Sequence, residues 1–138
     1  MVQQRQPDEH VDIRNVTDDF GVLVLTGPRS RDILGQLTDS DLSNEAVPWM
    51  RCQEVEVAGI PVRALRVSYV GEFGWKLHHP MGRMTELYEQ LHQAGTKHGL
   101  KDFGTYAVNS LRMEKAYKAW GGELTTEITP VEADLLRF

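Results

Sequence analysis

The stretch CQEVEVAGIPVRALRVSYVGEFGWKLHHP, Cys52 to Pro80, decides the fold. Val55 and Val57 alternate with Glu54 and Glu56, the period of a strand with one wet and one dry face. Ala58-Gly59 interrupts the run, and Val62, Ala64, Leu65 and Val67 continue it. Two antiparallel strands joined near Ala58-Gly59 are therefore predicted. A third strand is predicted from about Gly74 to His79. The link into it, RVSYVGEFG, contains two glycines within four residues, whereas a plain hairpin needs only about two special residues. This longer interruption either turns a corner or shapes a site.

The flanks supply the other layer. FGVLVLTG, Phe20 to Gly27, is a continuous apolar run ended by glycine and predicts a buried strand. PRSRDILGQLT then places Pro28 at a first helical position, with Ile33, Leu34 and Leu37 on one face. After Pro80, the spacing of Met84, Leu87, Tyr88, Leu91 and Ala94 predicts an amphipathic helix ending near Gly95 or Gly99. A further helix is expected in FGTYAVNSLRMEKAY, with Ala107, Leu111 and Lys115 spaced by four. The expected class is α+β, an antiparallel sheet of several strands with helices packed on one face. Residues 1–15 read as a flexible lead or a non-native end, and residues 16–138 as one partial domain. Its tail is mostly irregular, and VEADLLRF ends on apolar residues that call for further protein to pack against.

Charge and composition exclude several function classes. The formal charge of the 138 residues is −5, with no block of five like charges, so no nucleic-acid partner is expected. No apolar run reaches the roughly 18 residues of a membrane span, and MVQQRQPDEH lacks a signal peptide's apolar core. Cys52 stands alone, so no intrachain disulfide can form, and a cytoplasmic or other reducing compartment is expected.

Few side chains suggest chemistry. The serines lie outside any G-x-S-x-G elbow, and GEFG lacks the lysine and spacing of a phosphate loop. His78 and His79 should point to opposite faces of a strand, and His92 and His98 to different faces of a helix. No catalytic residue and no metal site is assigned. Arg112 and Glu114 in LRMEK are two apart and do not face one another, as on a solvated helix face. The glycine-cut loop is left. Tyr69 has a phenol that donates and accepts, and Glu72 can accept from an amide or amine, or cap the turn. Of Trp75 and Lys76, adjacent on a strand, one should face the core.

RVSYVGEFGWKLHHP, GLKDFGTYAVNSLRMEKAYKAWGGELT and EITPVEADL, in this order, resemble the aminomethyltransferase family, which includes the T-protein of the glycine cleavage system. FGTYAVNSLRMEKAYKAWG and SNEAVPWM look more like the folate-binding half of dimethylglycine and sarcosine dehydrogenases. The similarity runs from about Val16 to Phe138. It implies tetrahydrofolate as cofactor and transfer of a one-carbon unit to it from an N-methylated glycine or an aminomethyl donor. Tyr69 matches the tyrosine of the family's Y-x-G-E-x-G loop, which lines the folate cavity, and Glu72 and Lys76 share that neighbourhood. The glycines would let the backbone turn beside a flat ligand.

The pattern also departs from the family. Lys76 stands where a glutamate usually faces the pterin, and Val108 where the T-protein has a cofactor-contacting arginine. The family's catalytic aspartate lies well upstream of the loop and has no counterpart here. No G-x-G-x-x-G marks a flavin domain, so FAD is expected only in a missing part of a dehydrogenase parent. The resemblance thus implies a folate-binding portion, inactive alone, with folate and neighbouring domains as partners and a homodimer as a further expectation. A non-catalytic folate-binding or scaffold protein of the same fold is the alternative.

Overall fold

The computed structural model describes residues 10–136. Residues 1–9 of the expected lead, and the last two of the tail, lie outside the described residues. The element order is β1 (Phe20–Thr26), α1 (Ser30–Leu34), β2 (Cys52–Val57), β3 (Ile60–Leu65), β4 (Gly74–Pro80), α2 (Met84–Gly95) and α3 (Thr105–Glu114). The four strands make one antiparallel sheet in the order β1-β4-β3-β2. It is an α+β fold.

The β2–β3 hairpin turns where the sequence said it would. Ala58 and Gly59 both have positive φ, 50° and 75°, so Val57 pairs with Ile60 across a two-residue loop. That backbone twist suits the flanking strands. One sheet face is dry: Leu25, Val55, Val57, Ile60, Val62, Ala64, Trp75 and Leu77 are buried against Ile33 and Leu34 of α1 and Leu87 and Leu91 of α2. Trp75 is wholly buried and Lys76 lies on the opposite face. His79 points inward and His78 outward, as strand alternation requires. Gly99, at φ 71°, ends the short 3₁₀ turn Thr96–His98 that follows α2.

Three expectations fail. The Phe20–Gly27 run is not a buried strand; β1 is an edge strand, and Val22 and Val24 on its outer face are exposed. Nothing among the described residues covers that face, so an unbroken apolar run is here half wet. Pro28 does not start a helix either. The helix begins at Ser30, after a turn held by the Ser30 N–H donating to the Gly27 carbonyl at 3.0 Å. In α3 the expected stripe does not pack: Ala107 and Lys115 are exposed, and the residue this helix buries is Arg112. The solvated reading of Arg112 is thereby overturned, whereas Glu114 is exposed.

Candidate functional site around the glycine-cut loop

Residues 66–74 are pinned at both ends. The Phe73 carbonyl accepts from the Gly27 N–H at 2.7 Å, the Thr26 hydroxyl at 3.2 Å and the Ser30 hydroxyl at 3.3 Å. Arg66 exchanges backbone bonds with the chain ahead of β2, its N–H donating to Arg51 and its carbonyl accepting from Met50. The glycines are explained by close neighbours. Gly71 has φ 74° and a Cβ there would strike the Lys115 side chain; a Cβ on Gly74 would meet Thr26 and the Leu25 carbonyl. Both approaches are made by protein.

Tyr69 also spends its contacts on protein. Its hydroxyl donates to the Lys118 carbonyl at 2.9 Å, and its ring stacks on Tyr117 with centroids 6.3 Å apart. The residue as a whole is still 38% exposed. What holds Tyr117 and Lys118 in place is a clamp. Arg112 donates through Nη1 to the Tyr117 carbonyl and to Glu123 Oε1, both at 2.8 Å, and through Nε and Nη2 to Asn109 Oδ1. Glu123 Oε2 accepts from the Ala119 N–H at 2.7 Å. That backbone donor first, and the Arg112 guanidinium second, hold the Glu123 carboxyl down at about 2.

A hollow of about 310 Å³ opens beside the loop, lined by Trp49, Arg66, Ser68, Glu72, Phe73 and Tyr117, with Val67, Gly71 and Gly74. Glu72 lines it; neither Tyr69 nor Lys76 does. Lys76 stands instead on the outer sheet face, opposite Val24 on β1 and Leu65 on β3. The loop thus separates the three residues singled out in the sequence, with the glutamate at the hollow and the lysine on the open sheet. Sequence reasoning missed Arg66, Trp49 and Tyr117. The Arg66 guanidinium lies 5.0 Å from the centre of the Phe73 ring and that of Arg31 lies 4.6 Å from it. No local spacing foretells that arrangement.

A second cleft, of about 420 Å³, runs beneath β1 and is floored by Leu23, Leu25, Leu91 and Leu100. At its mouth Asp102 accepts from the Tyr88 hydroxyl at 2.8 Å and contacts His92 Nε2 at 2.9 Å. Those two bonds, His92 first, hold the Asp102 carboxyl below the usual carboxylate range, and the carboxylate raises the Tyr88 phenol. Among the described residues no group of three or more His, Cys, Asp or Glu side chains is placed to hold a metal ion.

All 138 residues match the family model described as GCVT N-terminal domain. The chain belongs to this family. It is 46% identical to dimethylglycine dehydrogenase of Mus musculus, a mitochondrial protein, over 93% of its own length and 15% of the relative's. It is 45% identical to the mitochondrial sarcosine dehydrogenase of the same species, over 86% of this chain and 13% of that one. An aminomethyltransferase from Thermoanaerobacter sp. (strain X514) is 38% identical over 89% of this chain and 33% of its own. The chain therefore spans a third or less of each of these relatives.

Among solved structures, a chain of the heterotetrameric sarcosine oxidase from Corynebacterium sp. U-96 has the same fold. The TM-score is 0.60 at 20% identity, over 71% of this chain and 49% of that one. The family resemblance read from the three motifs is thus established, and with it the fold class. The mouse relatives belong to mitochondria, not to the cytoplasm expected from the lone cysteine. Among the described residues, no helix is long and apolar enough to cross a membrane.

Proposed function

We propose that this GCVT-family chain supplies part of a tetrahydrofolate site in an enzyme that moves a one-carbon unit from an N-methylated glycine or an aminomethyl donor. The carrying observation is the Y-x-G-E-x-G loop, which is rigidly held yet borders an open hollow between elements. Relatives named for dimethylglycine, sarcosine and aminomethyl transfer support the amine side of the reading. In it, the ligand extends out of the hollow, where Glu72 accepts from its amide or amine groups, across the exposed part of Tyr69 to the outer sheet face that carries Lys76. FAD is assigned to no residue of this chain. The partner surfaces proposed are neighbouring domains, which would cover the exposed outer face of β1 at Val22 and Val24.

One observation favours a second reading. The ammonium of Lys76 has only donors where the family's glutamate has only acceptors. A non-catalytic folate-binding or scaffold protein would tolerate that exchange.

Titration of the chain with tetrahydrofolate, followed by nuclear magnetic resonance, tests the proposal. Weak binding that shifts the signals of Tyr69, Glu72 and Lys76 is expected. A saturating titration that leaves all three unmoved overturns the folate reading. A micromolar or tighter constant overturns the partial-site reading, because the chain would then hold a complete pocket.

A further inference from the structure

Lys118 and Ala119 share one peptide unit, and both of its polar ends are engaged. The Lys118 carbonyl accepts from the Tyr69 hydroxyl at 2.9 Å, and the Ala119 N–H donates to Glu123 Oε2 at 2.7 Å. Glu123 Oε1 accepts in turn from Arg112 Nη1, which also donates to the Tyr117 carbonyl one residue before the shared peptide. Ala116, at φ 57°, turns the chain back after α3, where the Tyr117 N–H donates to the Arg112 carbonyl at 2.9 Å. A continuous run of hydrogen bonds therefore leads from a buried guanidinium to the phenol of the glycine-cut loop. Each bond polarises the next, so a carboxylate on the N–H end of the peptide strengthens its carbonyl as an acceptor. A carbonyl has no proton to give, so the one hydroxyl proton of Tyr69 must point at it. Tyr69 makes no other hydrogen bond among the described residues, and only lone-pair capacity is left on its oxygen.

We propose that Arg112 and Glu123 are positioning residues for Tyr69, committing its hydroxyl proton to the Lys118 carbonyl so that the phenol meets a ligand only as an acceptor. The inference rests on the folate reading and gives that site a polarity, because the ligand atom beside the phenol oxygen must carry a hydrogen. A tetrahydropterin has N–H groups at ring nitrogens that are bare lone pairs in the fully oxidised pterin. Tyr69 accepts from the reduced ring and sets lone pair against lone pair in the oxidised one. An untethered tyrosine would serve both forms, since its hydroxyl turns freely to donate or accept. The selectivity is therefore set by Arg112 and Glu123, neither of which lines the hollow.

Two measurements test the proposal, the first without ligand. In nuclear magnetic resonance spectra of the chain, Glu123→Gln should move the Tyr69 ring signals while the core Trp75 indole stays in place. Tyr69→Phe should move the Lys118 carbonyl carbon and the Ala119 amide. A Tyr69 ring indifferent to Glu123→Gln overturns the positioning role, whether or not folate binds. The second measurement titrates the chain and its variants with tetrahydrofolate and with folic acid. Tyr69→Phe should lower the preference for tetrahydrofolate over folic acid about threefold to tenfold, the worth of one hydrogen bond. Glu123→Gln and Arg112→Lys should lower it too, and the half-exposed Glu123 carries the test if the buried Arg112 does not tolerate exchange. A clamp that is structural alone weakens both ligands alike and leaves the preference where it was. That result, or an unchanged preference in Tyr69→Phe, overturns the inference while the folate reading stands. If neither form binds, the folate reading falls, and the ligand-free spectra decide the positioning role.

Discussion

Arg112 Nη1 and Glu123 Oε1 lie 2.8 Å apart, with the arginine side chain 8% exposed and the glutamate 44%. They stand eleven positions apart in the chain, and between them run Tyr117 and Lys118, the partners of Tyr69. The ion pair therefore fixes the wall of the hollow as well as the tail. Arg112 sits there because four acceptor contacts satisfy a guanidinium that would otherwise be expensive to bury.

The pH dependence of that clamp follows from the lowered Glu123 carboxyl, at about 2 against an ordinary 4.5. A carboxylate depressed by folding contributes stability that is complete above the ordinary value and is lost as pH falls through the folded one. The Ala119 amide resonance, whose N–H donates to Glu123, should titrate with a midpoint near 2. Glu123→Gln should remove the titration. A midpoint near 4.5 would show that the clamp does not form in solution.

Gly71→Ala tests why the loop is glycine-cut. A left-handed backbone costs a non-glycine residue about 1–2 kcal/mol, and here the new methyl also displaces Lys115. Denaturant unfolding should show a loss of at least that size. Gly59→Asn is the control, since Gly59 has nothing within contact of its Cβ position and asparagine tolerates positive φ. It should cost little. Equal losses would mean that Lys115 does not pack on the loop.

These contrasts mark how far the sequence could be read. Alternation in Val55 and Val57, and the Ala58-Gly59 break, are local signals, and the hairpin obeys them. The Met84–Ala94 spacing likewise survives as α2. The β1 run misled because burial depends on what covers the sheet's outer face, which no strand encodes within itself. Arg112 misled for a related reason. Its acceptors come from Asn109, Tyr117 and Glu123, and only the folded tail assembles them. The loop was legible as a feature, but the hollow beside it was not, because Trp49 and Tyr117 reach it from distant segments.

The free edge of the sheet predicts self-association. Phe20–Thr26 contains no charge and no proline, the usual guards of an edge strand, and Val24 is 51% exposed. Concentrated solutions of the chain should contain dimers by light scattering. Val24→Lys, which places a charge on the outer face, should shift the equilibrium to monomer. A chain that stays monomeric at every concentration removes the homodimer expectation.

Lys76 offers the sharpest test of the folate reading. Its register between Val24 and Leu65 puts its side chain on the open sheet face, where it is half-buried. An ammonium there cannot accept from the amino group or ring N–H of a pterin, so those donors stay unmatched. Lys76→Glu supplies two acceptors at the same place. Restoring a matched hydrogen bond is worth roughly 1–3 kcal/mol when buried, and the partial burial of this site favours the lower end. Tetrahydrofolate should therefore bind the variant about fivefold to tenfold tighter by calorimetry. Lys76→Met separates the causes, because it removes the ammonium without adding an acceptor and should change affinity little. A tightening shared equally by both variants would assign the effect to loss of the positive charge. A weaker constant for Lys76→Glu would overturn that reading, because the lysine would then be donating to the ligand, and an unchanged constant would place the pterin away from this face.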